Sequence, residues 1–472
     1  MLAVLLLFFS SGLVTAQIET NAATYDLTLM DCLAQTFVRN PDIQRLRADV
    51  ERAGGDKIVI RSRAWPQFAM QINGGLRGST LYNTEDIKTN ASNVVVTNTA
   101  SAGPELFAIL TAQFSQPLID IAVPPSWRRG GLEVVIAQQN LNREITDRLH
   151  EVRVTFLRAL YYRDLTQLYD QINQRLQANV ESAQERIDTG MGSDAALKWA
   201  KIQQLNLARD LSNARAEFFN ATTQLATLCG REPTIRDGDL KIILPRPVGE
   251  LEFVPLKLDP AQQTQYALEH RADLKLLQVL IDATSADKHV VQAGYFPLVS
   301  LVSSGLLIPQ NALVSRQTSI VPGQDPRTSE VRAGVAMSWR MIDNGQVIGA
   351  SRRVEAARQQ YVISLRSLEQ NVPRELASIA ISLQDAEARR DALVTAAEAA
   401  EENLKIIEAQ VRLGQATQYD FLKAQSDLLS VRAGILDATY THEVARAGLD
   451  RATGRYLEYR TEPAQTTTAI TP

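Results

Sequence analysis

Between Val354 and Val411 the apolar residues climb in alternating steps of three and four, a pattern only a long coiled helix can use. The seam reads Leu365, Leu368, Val372, Leu376, Ile379, Leu383, Ala386, Arg390, Leu393, Ala397, Ala400, Leu404, Ile407, Val411, and only Arg390 departs from it. A mean step of 3.5 residues stays on one face only if the helix winds left-handedly around neighbours. The double step of four at Leu368–Val372–Leu376, beside Pro373, reads as a stutter or a mild kink. At 1.5 Å per residue the run is roughly 85 Å long. Charged residues and Gln recur throughout it, so it is not a membrane span. The run is a polar rod with one adhesive seam.

The chain opens on an apolar block, Leu2–Val14, followed by the small residues Val14-Thr15-Ala16, which predicts a signal peptide over 1–16. Cys32 and Cys229 are the only cysteines. In an oxidising compartment they could pair; without metal-like spacing, free buried thiols are the preferred reading. Net charge is −4, which gives no reason to expect nucleic acid or an anionic membrane surface as partner. Aromatic residues are only 6%, while Ala, Gln, Leu and Arg abound, as in long helices. A Thr-rich tail, 460–472, is expected to be disordered.

The chain is internally duplicated. An offset of 224 places Gly190, Ala200 and Gly230 on Gly414, Ala424 and Gly454. Two seams come into register with them. The first is Leu197, Ala200, Gln204, Leu207, Leu211, Ala214, Phe218, Ala221, Leu225, Leu228; the second is Phe421, Ala424, Leu428, Val431, Ile435, Ala438, His442, Ala445, Leu449, Ala452. An offset of 231 matches Asp42, Asp56-Lys57 and Pro66 to Asp273, Asp287-Lys288 and Pro297. Each half therefore reads as short helix, two extended segments, long helix, turn, long helix. The Pro-dotted stretch 232–260 joins them.

The extended segments alternate with period two. Val331, Ala333, Val335, Met337, Trp339 and Met341 face away from Arg332, Gly334, Ala336, Ser338, Arg340 and Ile342, and the expected partner strand is Leu298–Ile308. In the first half Phe68, Met70 and Ile72 alternate with Gln71 and Asn73, and a weaker alternation runs over Phe107–Leu118. Polar loops are expected at Tyr82–Pro104 and Pro309–Ser329. Such strands suit the core of a soluble sandwich, or a membrane barrel with a wet lumen. In lipid a sheet must close, because its edge N–H and C=O groups find no water. Four strands are too few to close, so a barrel here would have to be shared between chains.

These features together resemble the TolC-like outer-membrane efflux protein family. The matching pieces are Leu29–Pro41-Asp42 and Tyr266–Asp273, Trp65-Pro66 and Phe296-Pro297, and Trp339–Ile342-Asp343-Asn344-Gly345. To these add the tips Arg186…Gly190…Ser193 and Arg412-Leu413-Gly414…Thr417, and the closing Gly230 and Gly454. The resemblance spans about 25 to 459. It implies a mainly α fold with a membrane β-barrel: a coiled-coil α-helical barrel and a 12-stranded transmembrane barrel shared by a homotrimer. The helical tunnel would be roughly 100 Å long. Residues 17–231 and 261–459 would be the two efflux repeats. The implied function is an outer-membrane exit duct reaching into the periplasm. It would serve a tripartite efflux or type I secretion system, docked to an inner-membrane pump through a periplasmic adaptor.

Nothing in the pattern supports catalysis, a cofactor or a metal. His150, His270, His289 and His442 lie far apart, and His442 occupies the seam position of Phe218. What remains is docking and gating. Gly190 and Gly414 are read as left-handed helix caps, and Ser193 and Thr417 as caps of the helices that follow. They are turn residues in any case; the resemblance also places these tips, with Arg186 and Arg412, against the adaptor. It further puts Asp420 where the family often has a lumen-facing aspartate, while Lys423 replaces a second one. The pair would form a mixed ring at the mouth or an intrachain ion pair, and Asp420 could simply favour the positive end of its helix. A periplasmic coiled-coil adaptor or a scaffold is the alternative, although neither would carry paired two-faced strands in both halves.

Overall fold

A computed structural model describes residues 25–82, 99–190, 193–231, 234–236, 239–241, 244–308 and 328–460. The expected signal peptide and almost all of the tail lie outside them. The chain opens with β1 (Tyr25–Leu27), α1 (Leu29–Arg39) and α2 (Pro41–Ser62). The long strands β2 (Gln67–Tyr82) and β3 (Thr99–Ile119) and the helices α3 (Val123–Asp188) and α4 (Asp194–Leu228) follow. Short strands β4 (Thr234–Arg236), β5 (Asp239–Lys241) and β6 (Pro245–Pro247) precede α5 (Pro260–His270) and α6 (Ala272–Gln292). The second half ends with β7 (Leu298–Ile308), β8 (Thr328–Ser338), α7 (Gln346–Arg412) and α8 (Gln418–Thr453). The order read from the duplication is the order found, with the first helix of each half broken in two at Asn40 and Arg271.

The described residues fall into two compact units: those within Met1–Ala48, Gln139–Lys275 and Arg366–Pro472 form one, those within Asp49–Gln138 and Leu276–Leu365 the other. The first is helical, and its core is built by the seams. All fourteen seam positions of α7 are buried or half-buried, and so are all ten on α4 and all ten on α8. Arg390 stays on the seam because its guanidinium lies 4.1 Å from the centre of the Phe253 ring. Phe253 belongs to the stretch joining the halves, so the outlier in the heptads is solved by a residue far away in sequence. Pro373 sits inside α7 without ending it. The joining stretch itself carries β4–β5, an antiparallel pair, and β6, which pairs in parallel with β1; sequence periodicity missed these three-residue strands.

The second unit carries one antiparallel sheet in the order β2-β3-β7-β8. Two expectations need correction. The strand read as Val331–Met341 ends at Ser338, which pairs with Leu298. The next position opposite Trp339 would be Pro297, which has no N–H for the ladder, and the Trp339 indole instead donates to Tyr295 O at 3.1 Å. The loop read as Tyr82–Pro104 is shorter, because Tyr82 already pairs with Thr99. Pro104 suggested a loop, yet it falls at the bulge beside Arg77/Ser79, a position that tolerates a missing donor. At the strand-to-helix turn Asn344 and Gly345 adopt left-handed φ of 52° and 83°. Asp343 then caps α7, accepting from Gly345 N at 3.0 Å and Val347 N at 2.8 Å. Those bonds hold its carboxyl below the usual carboxylate range.

Candidate functional site

The register sorts the sheet into two faces. Phe68, Met70, Ile72 and Leu76 share one face with Leu110, Ala112 and Phe114, with Val299 and Leu301, and with Val331, Val335 and Met337. The other face carries Gln67, Gln71, Asn73, Thr111, Gln113, Ser115, Ser300, Ser304, Glu330 and Arg332, with Val302 and Leu306 among them. Side chains on the polar face satisfy one another: Gln71 donates to Asn73 at 3.2 Å, and Arg332 pairs with Glu330 at 2.5 Å. Among the described residues nothing covers the apolar face. Val331 is 79% exposed, Phe68 69% and Met337 66%. A soluble sandwich would bury such a face, at about 25 cal/mol per Å² of apolar area. Here no second sheet does so among the described residues. The edges β2 and β8 likewise have no partner strand among the described residues.

The two hairpin tips differ. After α7, Gly414 takes φ 73°, with Gly414 N bonded to Val411 O at 3.1 Å and Gln415 N to Gln410 O at 2.8 Å, a Schellman closure. Thr417 then caps α8 in a reciprocal capping box. Its hydroxyl accepts from Asp420 N at 3.2 Å, while the Asp420 carboxylate accepts from Thr417 N at 2.9 Å and from the Thr417 hydroxyl at 2.6 Å. These bonds, with Lys423 one turn on, lower the Asp420 pKa. In a single chain Asp420 is thus a helix-capping carboxylate. Arg412, at the end of α7, pairs with Glu408 at 2.6 Å. At the other tip Gly190 has φ 77°, and Arg186 lies in the last turns of α3. Ser193 stands at the N-cap of α4 but makes no side-chain bond, contrary to expectation. Thr417 has Asp420 three residues on to return the bond, whereas Ser193 has Ala196, which has no side-chain acceptor to return one.

Sequence patterns did not reveal that the two hairpins meet near these tips. Ile172, Leu176, Ala200, Leu207 and Leu422 form one cluster with Trp199 and Phe421 against it. Trp199 meets Tyr419 edge-on at 4.7 Å, and Asn179 donates to Gln425 at 3.2 Å. Their aromatic and amide types were the available signal, at positions where charged residues dominate. Three of the four histidines pack against aromatic rings, while His289 is exposed. Buried His442 lies 4.6 Å from the Phe253 ring, and His270 stacks on Tyr266 at 4.0 Å. Among the described residues no cluster of His, Cys, Asp or Glu could hold a metal, and no helix is long and apolar enough to cross a membrane.

Residues 264–455 match the family described as outer membrane efflux protein. The whole chain is similar to the outer membrane efflux protein BepC of Brucella suis biovar 1 (strain 1330), 22% identical over 94% of this chain and 89% of that one. It is also similar to the outer membrane protein TolC of Escherichia coli (strain K12), 21% identical over 91% and 83%. Among solved structures, the fold is shared with CusC, at a TM-score of 0.73 and 16% identity over 93% of this chain and 95% of the other. VceC of Vibrio cholerae shares it at 0.68 and 16% identity, over 90% and 96%.

Proposed function

We propose that this chain, a member of the TolC-like outer-membrane efflux protein family, is one third of a trimeric exit duct. Proteins of this family are outer-membrane channels rather than enzymes. The observation that carries the trimer is the four-stranded sheet with, among the described residues, an uncovered apolar face and two unpaired edges. In lipid each edge must find a strand. Because all three pairings in the sheet are antiparallel, β8 of one copy beside β2 of the next continues the alternation. Three copies give a closed barrel of twelve strands, within the usual range. Its polar face would line the lumen, and the seams of the long helices would continue the ring into the periplasm.

In this reading residues 1–16 direct export, 17–231 and 261–459 are the repeats, and 232–260 joins them. The tips around Gly190 and Gly414, with Arg186, Ser193, Arg412 and Thr417, meet a periplasmic adaptor that links the duct to an inner-membrane pump. The system served is tripartite efflux or type I secretion. Asp420 and Lys423 stand beside the second tip, so three copies of each would edge the periplasmic mouth and set its ion selectivity. The deciding experiment is to solubilise the outer-membrane fraction in mild detergent and measure mass by light scattering. A trimer is expected. A folded monomer would overturn the proposal, because it would show that the sheet edges need no partner.

A further inference from the structure

We infer that Cys32 and Cys229 form an intramolecular disulfide that fastens the first helix to the end of α4. In the structure both are free thiols, as the sequence reading preferred, and each has 0% exposure. The Cys229 sulfur lies 3.9 Å from Cys32 O and accepts from the Thr36 hydroxyl at 3.9 Å. The backbone holds them there from both sides. Cys229 is the C-cap of α4, and Gly230 beyond it closes a Schellman turn, with φ 69° and Arg231 N bonded to Ala226 O at 3.0 Å. Asn40, at the end of α1, donates to Leu228 O at 3.1 Å. Residues 197 apart in sequence are therefore brought to one point by contacts that do not depend on the sulfurs. The matched positions of the second half are Gln263 and Thr453, so only this junction carries thiols.

The inference rests on the outer-membrane location, since a chain assembled there passes through an oxidising compartment. The oxidant is a disulfide-bearing protein or small molecule of that compartment. In the still-open chain either cysteine can react first, and the balance is the same from Cys32 or from Cys229. Where Cys229 goes first, its thiolate attacks one sulfur of the oxidant's disulfide, and the other sulfur leaves as a thiol. The Cys32 thiolate then displaces the second oxidant sulfur. One S–S bond has formed in the chain and one has broken in the oxidant, and the two protons released by the cysteines end on the oxidant's thiols. Exchange precedes closure of the surrounding packing, after which the bond is shielded from reductants.

Two measurements test this on the full chain. In the first, protein taken from the outer-membrane fraction is denatured and alkylated with and without reductant, then weighed by mass spectrometry. The expected result is no alkylation before reduction and two alkylations after it. Free thiols before reduction, or a covalent dimer, overturn the inference. In the second, purified protein is unfolded and reduced, then refolded in a buffer of reduced and oxidised glutathione. An internal disulfide without bound glutathione supports the pairing whatever the location proves to be. Thiols that stay free, or that carry glutathione, overturn it. The Cys32→Ala and Cys229→Ala variants should each expose one alkylatable thiol; any variant with none overturns the pairing.

Discussion

The two halves of the chain build the same junction with different chemistry. In the first, Asn40 donates to Leu228 O at 3.1 Å; in the second, Arg271 donates to Ala452 O at 3.3 Å. These residues correspond, since 271 − 40 gives the offset of 231 and 452 − 228 the offset of 224. Both carbonyls end a long helix just before a left-handed glycine, Gly230 or Gly454. What the halves share is thus a backbone requirement, an orphan helix-end carbonyl that needs a donor. The donor itself is free to vary. Asn40 does the work as a neutral buried amide and also caps α2, accepting from Asp42 N at 3.0 Å. Arg271 instead recruits anions, with Asp273 at 2.8 Å and Glu375 at 2.6 Å. One junction has a neutral donor and carries the cysteine pair, the other is ionic.

The largest expected difference concerns the glycines. A Cβ at Gly230 would lie 2.6 Å from Arg39 O, whereas at Gly454 its nearest neighbour would be at 3.4 Å. Both carry the left-handed strain of roughly 1–2 kcal/mol. Gly230→Ala adds a backbone overlap of about 1–3 kcal/mol. Urea unfolding should therefore show Gly230→Ala as the more damaging of the two, by at least ~1 kcal/mol. Equal losses would mean that the first junction relaxes freely and that the two are mechanically alike.

Next come the donors. Arg271→Ala leaves Asp273 and Glu375 without their cation and should cost about 2–3 kcal/mol. Asn40→Ala strands one buried carbonyl and should cost about 1–2 kcal/mol. Adding salt to the wild-type protein should narrow the gap between Arg271→Ala and wild type and leave the Asn40→Ala gap unchanged. A gap at Asn40 that narrows equally would break the neutral-versus-ionic contrast.

Acid sharpens the same contrast. Burial pushes the Asp273 carboxyl up, but the bonds and charge of Arg271 outweigh it and hold the group below the ordinary carboxylate range. A depressed folded pKa means the stabilisation is complete above the unfolded value, about 3.9, and is lost as pH falls through the folded one. Asp273→Asn should therefore flatten the acid limb of the unfolding midpoint below about pH 4. An unchanged acid limb would remove Asp273 from the junction's energetics. The smallest contrast is at the tips: Thr417→Ala should cost about 1 kcal/mol and Ser193→Ala close to nothing. Circular dichroism melts of the two variants compare them directly.

Most of the fold was legible because its elements repeat a local rule over many residues. The seams of α4, α7 and α8 were readable position by position, as was the alternation along β8. The misses arise where a distant residue decides. Trp339 continues the alternation, yet Pro297 across the ladder ends the strand. Arg390 looks like an error in the heptad until Phe253 comes back to meet it. The tips were legible as turns, and the unequal capping of Ser193 and Thr417 could have been read from Ala196 and Asp420. The meeting of Trp199 with Tyr419 could not, because no spacing within one helix reports the neighbour of another.

The strand order bears on how fast such a ring can assemble. Inside one chain, β3 against β7 joins the first half to the second; in a closed ring, β8 against β2 of the next copy makes the same kind of join between molecules. Half of these joins are therefore unimolecular, made at the high effective concentration set by a tether rather than by encounter. Separate half-length chains would need five encounters where three full-length chains need two, at a rate falling steeply with dilution. Gene-length duplication thus lowers the reaction order of assembly, and it matters most when few copies are present.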